Sequence, residues 1–208
     1  MTKVLDHVRA HLRGHFARAG SGDEPDSASV TFLGTEPVEV LRFRERADGP
    51  EGIVHYVSLG CSRHPMTDPT EITEISADRL RGPRAEIVVS LRDPGPAAGI
   101  ARSLAILAAT PAVDGVVLVA GALIELGSPL WSSPTRRVPF TAVLLGHSDI
   151  PDLPLEPPRD PVKFLSATPI TATEAAWVRL KGAVAMRQAW QNDGVDLLDP
   201  NRPAAQPN

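Results

Sequence analysis

Two runs of alternating residues flank a turn in the first third of the chain, and they constrain its fold more than any other segment. Val38 to Arg44 places Leu41 and Phe43 on one side and Val40 and Arg42 on the other. Ile53 to Leu59 places Ile53, Val57 and Leu59 on one side and Tyr56 on the other. Between them lies Ala47-Asp48-Gly49-Pro50-Glu51-Gly52. Successive side chains of a strand point to opposite faces, so two such runs around a Gly/Pro turn predict an antiparallel hairpin. Its loop is longer than the tight two-residue kind. The second run stops at Gly60, followed by Cys61 and Ser62.

Thr2 to Ala19 carries Val4, Leu5, Val8, Leu12 and Phe16 at helical spacing and reads as an amphipathic helix ended by Gly20. Ser21 to Ser29 reads as a polar loop, and Arg63 to Pro83 as a long irregular one of the kind that often carries function. Arg84 to Arg92 is a strand with Ile87, Val89 and Leu91 on one face. Ala97 to Ala109 has apolar residues all round and predicts a buried helix. Val116 to Val119, Ala122 to Leu126, Phe140 to Leu145 and Val162 to Ala167 read as further strands. Ile150 to Pro161 reads as a proline-rich extended connection. Thr171 and Glu174 have capping-box spacing before a helix over Ala172 to Trp190, with Trp177, Leu180 and Val184 on one face. Strands and helices do not alternate regularly. The expected class is therefore α+β: a mixed, largely antiparallel sheet flanked by helices.

A chain of 208 residues suits one domain. The expected domain runs over 1–198, with an N-terminal helix and loop over 1–29 and the core over 30–198. Residues 199–208, rich in Pro, Asn and Ala, are expected to form a disordered tail. Apolar residues at 42% and charged residues at 22% suit a soluble globular protein. A net charge of -4 argues against a nucleic-acid partner, which needs clustered positive charge. The N-terminal segment lacks a signal-peptide apolar region, and the longest apolar run, Val116 to Leu126, is too short to span a bilayer. With a single cysteine, Cys61, no internal disulfide can form. A cytoplasmic location is expected, away from membranes.

Several groups invite a chemical reading. His7, His11 and His15 recur every four residues, a spacing that can share a metal, yet each step drifts by about 40° around the helix. Border imidazoles are the better reading, and no metal or cofactor is expected. Cys61 and His64 could pair as nucleophile and base in a small hydrolase, but nothing nearby orients the base or forms an oxyanion hole. His55 reads as a core-edge imidazole hydrogen-bonded to backbone. Asp68, Glu71, Glu74 and Asp78 make the long loop acidic, and Arg136-Arg137 offers a contact for an acidic partner. Phosphate-binding loops, dinucleotide fingerprints, nucleophile elbows and paired zinc-ligand motifs are absent from the sequence. A non-enzymatic protein is the expectation.

The run His55-Tyr56-Val57-Ser58-Leu59-Gly60-Cys61-Ser62 resembles a strand of the suppressor of fused family, histidine–tyrosine–aliphatic–serine–x–glycine–x–serine. Ala85 to Arg92 is similar to the family's next strand, and Gly121 to Ser133 to its glycine, strand and serine–proline–leucine element. Phe140 to Pro151, Val162 to Leu165, Pro169 to Glu174 and Asp199 to Arg202 follow in the family's order. The resemblance covers Val38 to Arg202. It implies a mixed sheet with flanking helices and a protein-binding role. In animals it implies a second region that helps clamp a transcription-factor peptide, which a chain of this length is expected to lack, so no clamp residues carry over. Stand-alone bacterial members resemble immunity proteins that neutralise toxins. The expected function is occlusion of a protein partner, such as a toxin, with a basic partner suited to the acidic chain. A scaffold or regulatory subunit is the remaining alternative. Candidate contacts are His64, Asp68 and Glu71 after the opening strand, then exposed positions around Trp131 and Arg136.

Overall fold

The computed structural model describes residues 2–21, 24–31, 36–45, 52–67, 80–93, 95 and 97–205. Its elements are α1 (Thr2–Arg18), β1 (Asp26–Val30), β2 (Val38–Glu45), β3 (Ile53–Leu59), a 3-10 turn (Cys61–Arg63) and β4 (Arg84–Arg92). α2 (Ile100–Asp114), β5 (Leu123–Glu125), β6 (Phe140–His147), β7 (Val162–Thr171), α3 (Ala172–Lys181) and α4 (Ala183–Asn192) follow. The described strands form one sheet in the order β1-β2-β3-β4-β7-β6-β5, antiparallel throughout except for β4 beside β7. The expected β2–β3 hairpin forms, pairing Leu41 with Val57 and Phe43 with His55.

Both faces of the sheet's centre are covered, which explains why the central strands are apolar on both sides. Tyr56, Ile87, Val89 and Leu91 pack with Leu104 and Leu107 of α2. On the other face, Leu41, Phe43, Val57 and Phe164 pack under Val8, Leu12 and Phe16 of α1. Beside them, Ala142, Leu144 and Ile170 pack under Val178, Met186 and Trp190 of α3 and α4. A register irregularity between Phe140 and Ala142 puts Phe140 in the α2-side cluster, where it meets Trp131 at 5.5 Å between ring centroids.

Four expectations need correction. The segment read as a loop, Ser21 to Ser29, contains most of β1, an edge strand so exposed that it has no buried alternation to betray it. Val116 to Val119 forms no strand, and Val116 and Val119 are 40% and 53% exposed. The single helix expected over Ala172 to Trp190 breaks at Gly182, whose φ of 89° and ψ of 165° are not helical. The buried face also differs from the expected one: Leu180 and Val184 are 76% and 79% exposed, while Ala175, Val178, Met186 and Trp190 are buried. Finally, residues 199–205 are not frayed, because Arg202 and Ala205 are buried against α3 and α4. The capping box at Thr171 and Glu174 forms as its spacing predicts.

Candidate functional site

The segment with the strongest motif character proves to be a buried polar knot. Gly60 takes a φ of 148°, open to glycine but strained for other residues, and turns β3 into the Cys61–Arg63 turn. A Cβ there would come within 3.2 Å of Val38 Cα and 3.3 Å of the Pro37 oxygen. The turn folds over Glu86 of β4, which is fully buried. One Glu86 carboxylate oxygen accepts from the Gly60 N–H at 2.9 Å, the Ser62 N–H at 3.0 Å and the Ser62 hydroxyl at 2.6 Å. The other accepts from the Ser58 hydroxyl at 2.5 Å, and Ser58 Oγ in turn accepts from the Ile87 N–H at 2.8 Å. Burial pushes the Glu86 carboxyl up, against the opposing pull of these donors. Arg84 secures the same turn, donating to the carbonyls of Ser62, Arg63 and Leu80. Ser58, Gly60 and Ser62 are thus spent on architecture.

Cys61 sits half-buried on this turn, against the α2-side core. Burial, with the nearby Glu86 carboxylate, pushes its thiol well above the ordinary value, the opposite of an activated nucleophile. His64 points elsewhere: its Nε2–H donates to Glu36 at 2.8 Å, and the ring is largely exposed. That contact, followed by Arg63, holds the Glu36 carboxyl below its usual range. Of the three residues expected to form the first contact surface, His64 is exposed, whereas Asp68 and Glu71 lie outside the described residues.

Of the histidines on α1, two pack against aromatic rings and one faces solvent. His7 is exposed, His11 stacks on Phe164 and donates to the Pro151 carbonyl at 2.8 Å, and His15 meets Phe16 edge-on. Among the described residues no group of three or more His, Cys, Asp or Glu is placed to hold a metal ion. His55 bonds to side chains, not to backbone: Nδ1 lies 2.8 Å from Ser90 Oγ and Nε2 lies 3.2 Å from Glu45. It borders a cavity of about 320 Å3 that also meets His15, His147 and Asp149. No described helix is long and apolar enough to cross a membrane.

The second contact surface forms a groove of about 550 Å3 between the first turns of α2 and the segment Ser128 to Val138. An antiparallel bridge of Ala98 with Ser132, with the Ser132 N–H donating to Ala98 O at 2.8 Å, joins the two walls. Trp131 was expected at an exposed position, but it is 3% exposed and packs on Phe140, so it forms the floor. Arg136 is exposed, and its guanidinium donates to the Pro200 carbonyl at 2.9 Å. Sequence reasoning missed the opposite wall, Arg102 and Ile106 of α2, because a groove built from segments some thirty residues apart leaves no local signature.

The suppressor of fused protein family profile matches residues 34–203. No curated protein matches the chain in sequence. Among solved structures, a protein described as a suppressor of fused homolog from Neisseria gonorrhoeae is similar with a TM-score of 0.66 and 16% identity, over 99% of this chain and 98% of that one. A chain of a Sufu–Fu complex matches with a TM-score of 0.68 and 14% identity, over 97% of this chain and 91% of that one. Drosophila Suppressor of Fused matches with a TM-score of 0.67 and 15% identity, over 95% of this chain and 50% of that one.

Proposed function

The chain belongs to the suppressor of fused family, and from that premise we propose that it is a cytoplasmic, non-enzymatic domain that works by binding another protein and covering its working surface. The observation that carries this reading is the disposition of polar chemistry. The hydroxyls of the β3 turn are spent inside the fold, Ser58 and Ser62 on Glu86, and Cys61 is a half-buried thiol with a raised pKa. The groove between α2 and Ser128 to Val138 is an open one with an aromatic floor and arginine rim, residue types enriched at protein hot spots. A fold relative solved in a Sufu–Fu complex supports a protein partner.

The contacts we assign are Arg136 at the groove, with Trp131 supporting it from below, and His64 at the start of the β3–β4 connection, followed in sequence by Asp68 and Glu71. An immunity protein that neutralises a toxin fits this mode of action, since occlusion needs shape and charge but no reacting group. The test is co-purification from the native cell with mass spectrometry. A stoichiometric protein partner whose recovery falls with Arg136→Ala or His64→Ala is the expected result. A chain that brings down no specific macromolecule but turns over a small molecule overturns the reading. Co-expression with the recovered partner then tests immunity directly: the chain should relieve toxicity.

A further inference from the structure

The groove beside Trp131 has a charge pattern opposite to that of the whole chain. Net charge is -4, yet the groove's described lining holds Arg102, Arg136 and Arg137 and contains no Asp or Glu. Arg102 and Arg137 are exposed and have no ion-pair partner among the described residues. Elsewhere the surface arginines are largely neutralised, as in Arg9 with Glu39, Arg44 with Asp93 and Arg179 with Glu125. α2 opens at Gly99, with no side-chain cap, on the groove wall, so the positive end of its dipole adds to the same field.

Apolar surface accompanies the charge. Ile106 lies one turn beyond Arg102 on α2 and is 38% exposed. Leu130, Trp131 and Val138 lie below as buried support. Guanidinium groups present a planar fork of donors that matches carboxylates.

Resting on the reading that the chain binds a protein, we propose that this groove receives an acidic segment of that partner. Asp or Glu side chains of the segment meet Arg102, Arg136 and Arg137, and an apolar side chain packs on Ile106 over the Trp131 floor. Net charge governs long-range approach, whereas the sign of the groove governs what docks there. The acidic composition of the chain therefore does not call for a basic ligand at this surface.

Fluorescence anisotropy with a short labelled peptide of alternating Glu and Leu tests the proposal, with a Lys/Leu peptide as the control of opposite charge. Saturable binding of the Glu peptide that weakens with salt is expected. The R102E/R137E variant should weaken it by at least about tenfold, the combined effect of two lost and two reversed pairings at an exposed rim. Both side chains are exposed, so far-ultraviolet circular dichroism should be unchanged. K163E/K181E makes the same change in net charge away from the groove and should retain binding within about twofold. Absence of saturable binding, equal binding of the Lys/Leu peptide, or equal losses in the two variants overturns the proposal. Tighter binding of a single-stranded oligonucleotide through the same arginines overturns it as well. A cellular partner recovered equally by the wild type and R102E/R137E removes the groove assignment but leaves the protein-binding reading intact.

Discussion

Arg202 places Nη1 2.7 Å from Glu174 Oε1, and both side chains are buried. The pair closes a network that ties the C-terminal turn to α3. Glu174 also accepts from the Thr171 N–H, the Trp190 indole N–H and the Ala205 N–H. The guanidinium donates to the Pro169 carbonyl and lies over the Phe140 and Trp190 rings. Removing one partner leaves the other charge buried without compensation, which typically costs about 3–5 kcal/mol. Arg202→Met should lose that much stability in urea denaturation near neutral pH. Burial alone raises the Glu174 carboxyl, but Arg202, the Thr171 N–H and the Trp190 N–H outweigh it and hold the carboxyl below its ordinary 4.5. Stability from a carboxylate depressed on folding is present above the unfolded pKa and lost as pH falls through the folded one. The gap between wild type and Arg202→Met should therefore narrow in acid. A gap that stays constant would show that the ion pair is not its source.

The knot around Glu86 makes a second stability prediction. Glu86→Ala leaves the buried Ser62 N–H and the Gly60 N–H without their acceptor. An unsatisfied buried donor costs about 1–3 kcal/mol, so a loss of at least about 3 kcal/mol is expected, with the hydroxyls of Ser58 and Ser62 also deprived. Ser62→Ala removes one hydrogen bond while keeping the N–H contact and should cost about 1 kcal/mol. Equal losses in the two variants would mean that the carboxylate does not organise the turn.

Trp131→Ala separates folding from binding at the groove. The indole is buried against Phe140, and truncating a buried aromatic costs about 3–5 kcal/mol. Differential scanning calorimetry should therefore show a large fall in Tm. Arg137→Ala at the exposed rim should remain within about 0.5 kcal/mol of wild type. Wild-type stability in Trp131→Ala would return the residue to the surface role that its position in the sequence suggests.

The central strands were legible because burial imposes a period on them, whereas exposed β1 carries no such period. β2, β3 and β4 alternate apolar side chains over both faces, and the hairpin follows from their spacing around Gly49, Pro50 and Gly52. The capping box was equally local, since Thr171 and Glu174 satisfy each other's backbone within one turn. What escaped the sequence depends on partners remote along the chain. Arg202 looked like part of a frayed tail until α3 supplied Glu174, 28 residues earlier. Leu180 and Val184 share helical spacing with Trp177, but the core contacts come from Ala175 and Val178 before Gly182 and from Met186 and Trp190 after it. Trp131 looked like a contact residue because composition cannot show that Phe140 covers it. The candidate site was half legible: Arg136 and Arg137 stand together in sequence, but Arg102 joins them only through the fold.

His55 should make stability depend on pH near neutrality. Burial holds its imidazole below the ordinary 6.5, and Glu45 only partly offsets this. His15, across the same cavity, is lowered by burial and by Arg18, His11 and His55, with Asp149 opposing. Between the depressed folded pKa and 6.5 the unfolded chain binds the proton more readily. Stability is therefore complete above 6.5 and declines as pH falls through that window. Denaturation at several pH values should give a shallower slope for His55→Gln than for wild type, with a residue of slope left by His15. A slope unchanged by the substitution would assign the effect to other groups.

Cys61 provides the sharpest contrast between a binding domain and a thiol enzyme. A catalytic thiol needs a lowered pKa and a base within reach. Here burial and Glu86 raise the thiol, and His64 is held by Glu36. Reaction with a chromogenic disulfide reagent near neutral pH should be much slower in the folded chain than in denaturant, and slower than for a free thiol of ordinary pKa about 8.5. Cys61→Ser should leave partner binding unchanged, because the side chain packs toward the core cluster below the turn. Rapid modification of the native chain, with a rate that follows an ionisation below neutral pH, would instead identify an activated thiolate and reinstate the hydrolase alternative.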